Sequence, residues 1–130
     1  MIDFMPLKFD KTTEDRRGKI IWLSSELTKI NIVEIRSGFA RGGHYHNHET
    51  THFVISGKIE YREKNIDTGE EKTEIVLPHK EIKILPRIAH LLIALEDSVF
   101  VETITDINDV TIVPEYRKIV NESMNIKKLN

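Results

Sequence analysis

Four of the six histidines in this chain, His44, His46, His48 and His52, lie between Gly38 and Gly57 in the run GFARGGHYHNHETTHFVISG. His44 and His46 are two residues apart. On an extended strand they project from one face, about 6.5 Å apart along the chain. That spacing lets two imidazoles share one metal ion, with each ring nitrogen about 2.1 Å from it. His52 has the same parity on the same stretch, as does Thr50. His48 shares it too but sits toward the loop, where a solvent-exposed ring is expected. Glu49 is a reserve oxygen ligand whose parity points it away. His90, in Leu85-Pro86-Arg87-Ile88-Ala89-His90, belongs to a later apolar stretch. It is read either as a further ligand or as a core histidine. His79, between Pro78 and Lys80, reads as a surface residue.

These groups need a rigid frame, and the rest of the sequence supplies one made of strands. Lys19–Leu23 follows a turn at Asp15-Arg16-Arg17-Gly18. Residues 29–36 put Ile30 and Ile32 on one face and Val33 and Ile35 on the other, which predicts a bulge or a strand buried on both faces. In 58–64, Ile59 and Tyr61 face inward. A hairpin turn follows at Ile66-Asp67-Thr68-Gly69-Glu70. Further strands are expected at 72–77, 81–85, 89–95, 98–105 and 109–113. Short strands every eight to twelve residues indicate a sandwich or barrel. Residues 1–9 read as an extended arm and 10–17 as a polar loop. Pro114 at a first helical turn predicts a short helix over 114–124, with Tyr116, Ile119 and Val120 on its packing face. A frayed tail is expected over 125–130.

With 130 residues the chain is read as one domain, large enough to bury a core without staples. The arm and loop cover 1–17, the barrel 18–113, and the helix and tail 114–130. A net charge of −2 with both signs interspersed argues against nucleic acid or a membrane surface as partner. No cysteine is present, so there is no disulfide framework and no thiolate ligand or nucleophile. The N-terminus lacks the pattern of a signal peptide, and no apolar run is long enough to span a membrane. These features predict a soluble, cytoplasmic protein with a small-molecule partner.

Gly38, His44-Tyr45-His46 and Gly57 fall at the separations of the first motif of the cupin superfamily, G-x5-H-x-H-x3,4-E-x6-G. Thr50 stands where that motif has a glutamate ligand. The resemblance leaves open whether Thr50 lines the site or His52 replaces the missing ligand. His90 resembles the histidine of the second cupin motif, although Arg87 and Ala94 stand where that motif has glycine and asparagine. The resemblance implies an all-β jelly-roll (double-stranded β-helix) barrel, with a short C-terminal helix as read above. It implies His44, His46, His52 and His90 as ligands of a divalent transition metal in the barrel mouth. Imidazoles alone do not choose among Fe, Mn, Ni, Cu, Co and Zn.

Asp15-Arg16-Arg17-Gly18 and Arg41-Gly42-Gly43-His44-Tyr45-His46 resemble stretches of cupins that modify sugar nucleotides in capsule and lipopolysaccharide synthesis, and of the dTDP-4-dehydrorhamnose 3,5-epimerase group. That resemblance implies an epimerase or isomerase. Arg41 and Arg87 would bind diphosphate through bidentate guanidinium contacts. His52 would be the base, and Tyr61 would return the proton unless it is simply a packed aromatic. A metal-dependent dioxygenase and a non-enzymatic ligand-binding cupin are the alternatives. The family and the extended arms also imply a homodimer.

Overall fold

The computed structural model describes residues 7–26 and 28–129. Residues 1–6 of the expected arm and Asn130 of the expected tail lie outside the described residues. Two antiparallel sheets face each other. The larger is built from β1 (Lys8–Asp15), β2 (Gly18–Ser24), β3 (Lys29–Ile35), β5 (Thr50–Ser56), β8 (Glu81–Ile84) and β10 (Ser98–Ile104), in the order β1-β2-β3-β10-β5-β8. The smaller holds β4 (Ala40–Tyr45), β6 (Ile59–Asn65), β7 (Glu71–Val76), β9 (Ile88–Ala94) and β11 (Thr111–Ile112), in the order β11-β4-β9-β6-β7. The crossovers between consecutive strands make this a jelly roll, as expected for the all-β barrel.

The sheets enclose an apolar core that extends to the wall of the histidine cavity. Val33, Ile35, Val54, Ile59, Ile84, Leu92 and Phe100 are buried there. Each such side chain contributes about 1.5–3 kcal/mol relative to exposure, which offsets the cost of burying histidines beside it. A second core lies outside the smaller sheet. There Ala40, Ala89 and Leu91 meet Val113, Tyr116 and Val120, with Ile119 packed against them. The helix α1 (Pro114–Leu129) therefore packs through the face expected from sequence, with proline at its first position. It continues past Met124 through most of the expected tail.

Two other expectations change. The polar stretch Asp10–Asp15, read as a loop, belongs to the edge strand β1. Every residue of β1 is exposed, so it carries no apolar alternation. What holds it is the backbone ladder to β2, with Thr12 opposite Ile21 and Thr13 opposite Ile20. In β3 the ladder to both neighbours runs without interruption, so there is no bulge: Val33 and Ile35 are buried on the inner face, and Ile30 and Ile32 are half-buried on the outer one.

Two glycines of the histidine-rich run are required by space. A Cβ on Gly57, at φ +93°, would strike Ser98 Oγ and Asp97 O. A Cβ on Gly43, at φ +83°, would come within 2.9 Å of the Arg117 backbone nitrogen. Gly43 also sits in a β-bulge: Gly42 pairs with Leu91, whereas His44 pairs with His90. This extra residue reverses the side-chain parity of β4, so Arg41 and His44 line the same cavity despite being three residues apart.

Candidate metal centre

The barrel mouth holds a cavity of about 200 Å³. β4 contributes Arg41 and His44, β9 His90, β5 His52 and β10 Glu102. Ile20, Trp22, Val33, Leu92 and Phe100 form its apolar wall.

His44, His46 and His90 each offer one ring nitrogen, and these nitrogens lie within 4.8 Å of one another. His44 and His90 are brought together by direct pairing of β4 and β9. Their rings meet edge to face, with centroids 4.7 Å apart. His46 follows β4 in the loop to β5, with its ring 4.9 Å from that of His44.

The ring orientations are set from outside. His46 Nδ1 lies 2.6 Å from the Asp109 carbonyl oxygen. A carbonyl only accepts, so Nδ1 carries the proton and Nε2 keeps its lone pair. His90 Nδ1 is likewise 3.2 Å from the Ile88 carbonyl. Asp109 does more: its carboxylate accepts from the Asn47 backbone N–H at 2.8 Å and from Asn47 Nδ2 at 2.9 Å, and lies 2.7 Å from His48 Nδ1. It clips the whole 46–48 loop in place. His48 is therefore half-buried and paired, not the free surface ring expected.

Burial holds all three imidazoles neutral. His44 is pushed down to about 4, first by burial and then by neighbouring His46. His46 and His90 are lowered too, burial again being the main cause. His44 Nδ1 is buried and has no hydrogen-bond partner among the described residues. Three unprotonated rings and an unsatisfied buried nitrogen fit a borderline divalent metal, which needs neutral imidazole donors.

The resemblance assigns His52 to this set as well, and the geometry gives it another partner. Its Nε2 lies 3.1 Å from Glu102 Oε2, and it falls outside the cluster of three. The carboxylate accepts, so Nε2 carries the proton. Nδ1 is buried without a partner. Burial alone would raise the Glu102 carboxyl, but hydrogen bonds from His52 and from Asn31, at 3.0 Å, bring it below its ordinary value. Sequence reasoning misses Glu102. It lies far along the chain from the histidine run, and in Val101-Glu102-Thr103 it looks like one solvent-facing charge. Only the register of β10, which sets Glu102 opposite both His52 and Asn31, turns it inward. Thr50, in the glutamate's place, is buried with an unpartnered hydroxyl.

Two other expected site residues are not brought to the cavity. Tyr61 packs in the apolar core and donates its hydroxyl to Glu63 at 3.0 Å; burial raises its pKa. The alternative reading, a packed aromatic, describes its position. Arg87 lies at the surface with Asp67, at 2.8 Å, and over the Tyr45 ring. Arg41, by contrast, lines the cavity and is buried. Its Nε donates to the Glu34 carbonyl at 3.1 Å and its Nη2 to the Gly18 carbonyl at 3.3 Å. Glu49 points to Lys83, and His79 sits in an exposed turn at φ 73°.

Comparison with solved structures bears on the fold. The capsular polysaccharide assembling protein CapF from Staphylococcus aureus superposes with a TM-score of 0.70 and 19% identity, over 83% of this chain and 34% of that one. A single-site variant of the B. subtilis oxalate decarboxylase gives a TM-score of 0.71 and 15% identity, over 79% of this chain and 30% of that one.

The fold is a cupin fold.

A third similar structure is the Lactobacillus farciminis oxalate decarboxylase formate complex, with a TM-score of 0.69 and 20% identity over 82% of this chain and 34% of that one. The chain thus spans about a third of the length of the cupins it superposes on. No protein-family model and no curated protein sequence matches it. The cupin frame accounts for the convergence of the motif histidines on one barrel mouth. Among the described residues, no helix is long and apolar enough to cross a membrane.

One consequence of the Asp109 clip is testable. Asp109→Ala removes the carboxylate that holds Asn47 and His48 but no ligand atom. Loss of such an outer support lowers metal affinity about 10- to 100-fold. Competition with a chromogenic chelator measures this, and an unchanged affinity would show that the loop holds its shape without the carboxylate.

Proposed function

We propose that this protein is a metal-binding cupin that acts on a nucleotide-activated sugar, or a similar small carbonyl metabolite, as an epimerase or isomerase. The observation that carries the reading is the pairing of His52 with Glu102 in the same cavity wall as His44 and His90. His44, His46 and His90 would hold the ion, and a divalent metal there supplies polarisation of a carbonyl oxygen. His52 takes a proton from the carbon next to that carbonyl through its free Nδ1. Glu102 accepts the Nε2–H hydrogen bond and stabilises the imidazolium that forms. The same imidazole returns the proton to the neighbouring carbon on the same face, the one-base course of a keto-isomerisation, since Tyr61 lies elsewhere; epimerisation would need a donor on the opposite face. The apolar wall of Val33, Leu92 and Phe100 limits water at the reacting carbon. The likeness to a capsular polysaccharide assembling protein supports the sugar reading, and the absence of cysteine is in keeping with a cytoplasmic setting.

Solvent exchange tests this. A nucleotide-linked keto sugar incubated in D2O should gain deuterium next to its carbonyl, read by mass spectrometry. His52→Gln should slow the exchange at least about 100-fold, the contribution of a positioned base. If nucleotide sugars neither exchange nor stabilise the protein thermally, the reading falls. Metal-dependent oxygen chemistry is the second reading. It is supported by the likeness to oxalate decarboxylase, whose Mn(II) centers have been described for the Bacillus subtilis enzyme. Oxygen consumption by iron- or manganese-reconstituted protein would favour it.

We also read the chain as a homodimer. α1 covers the outer face of the smaller sheet, whereas among the described residues no element covers the outer face of the larger one. Ile21, Ile32, Val101 and Phe53 lie opposite one another in a row across its four central strands. Phe9 and Phe53 on that face are 60% and 40% exposed. A flat apolar face of this kind suits a second copy of itself. Light scattering after size exclusion should give twice the 15.1 kDa chain mass, and Phe53→Lys should give monomer. A wild-type monomer at tens of micromolar would refute the pairing.

A further inference from the structure

The cavity carries a charge excess that the metal-site reading leaves unexplained. Three guanidinium side chains, Arg17, Arg41 and Arg117, line it. Arg17 is neutralised by Asp15, which it grips at 2.6 Å. Arg41 and Arg117 make no ion pair among the described residues. Arg41 is 7% exposed, and its hydrogen bonds among the described residues go to two carbonyl oxygens. Arg117 Nε is buried and has no hydrogen-bond partner among the described residues. The carboxylate in the wall is that of Glu102, and its hydrogen bonds go to His52 and Asn31. A buried guanidinium nitrogen with no acceptor is costly unless a ligand supplies one. A bound divalent cation would increase the imbalance further.

We propose that the cavity binds the oxyanion end of a small acid, a carboxylate or a phosphoryl group, between Arg41 and Arg117, beside the three histidines. Planar guanidinium groups suit both oxyanions, because each accepts two parallel N–H bonds. The cavity, about 200 Å³ and open at the barrel mouth, has room for such a group beside the histidines. Arg117 is the element that sequence could not supply. It stands on the first turns of α1, and the bare Gly43 lets that backbone approach β4 to within contact.

The inference rests on the cavity assigned above but is tested separately from its metal. Isothermal calorimetry on the metal-loaded protein compares malonate and inorganic phosphate with the neutral malonamide, and elemental analysis follows metal in the same samples. Both acids, or either one, should bind at least about tenfold tighter than malonamide, the worth of one charge-assisted hydrogen bond. Tighter binding of malonate assigns a carboxylate, and tighter binding of phosphate assigns a phosphoryl group. Arg117→Gln should remove about tenfold of that affinity without changing metal content, and Arg117→Lys should recover part of it. Arg117 is the position of choice because Arg41 also ties two backbone carbonyls. If the acids bind no tighter than malonamide, or if Arg117→Gln leaves their affinity unchanged, the anion site is overturned. Metal-loaded protein that ignores the acids overturns this site alone. Protein that holds no metal yet binds them overturns the metal reading alone.

Discussion

His44→Ala/His46→Ala protein, expressed with the wild type and dialysed against buffer, is expected to carry less than about a tenth of the wild-type metal. The wild type should carry about one ion per chain. Two of three clustered donors are then gone, and the remaining His90 cannot hold a divalent ion against water. The fold should survive, because the apolar core that includes Val54, Ile59 and Ile84 is left untouched by both substitutions. Circular dichroism controls for this. Elemental analysis reads the result and names the occupant as well. Iron, manganese or copper would favour oxygen chemistry, while zinc or nickel would leave the sugar reading ahead. An equal metal content in variant and wild type would refute the assignment of the ion to this cluster. No metal in either protein, even after reconstitution, would leave the histidines as acid–base groups only.

Metal-free protein is expected to lose stability as pH falls from about 6.5 toward 4. The sign follows from His44. In the unfolded chain its ring protonates near the ordinary 6.5, whereas in the fold burial holds it down to about 4. Between these values the unfolded state binds a proton that the folded state refuses, so acid favours unfolding. The contribution is fully present above 6.5 and lost by about 4. The size of the shift corresponds to on the order of 3 kcal/mol for His44 alone. His46 and His90 are displaced in the same direction and add to it. Urea titrations at several pH values, with chelator present, measure the slope. His44→Gln, which cannot titrate, should flatten it. A slope unchanged by that substitution would show that His44 is not the residue responsible.

Much of the frame is legible because strand structure writes itself in alternation. Ile59 and Tyr61 face inward as read, and Ile82 and Ile84 are buried on the inner side of β8. Residues 66–70 turn with Gly69 at φ 78°. Edge strand β1 is not legible, since its polar residues are held by backbone pairing that leaves no pattern in side chains. The full length of α1 escapes for a related reason. Its last turns are polar in sequence, and polarity at a chain end reads as fraying.

What the sequence by itself determined is the local part of the site: histidines at matching parity, glycines at fixed separations, and an apolar strand carrying His90. These follow from short-range geometry, in which two residues make one strand period. What only the tertiary structure decided is which groups meet. The bulge at Gly43 turns Arg41 and His44 to one side. The register of β10 against β5 gives His52 to Glu102. The return of the chain through the loop before β11 brings Asp109 under His46, and α1 carries Arg117 to the cavity. Each of these contacts joins residues far apart in sequence. Pairing register and helix docking are set by the whole barrel's packing, and no local spacing records them.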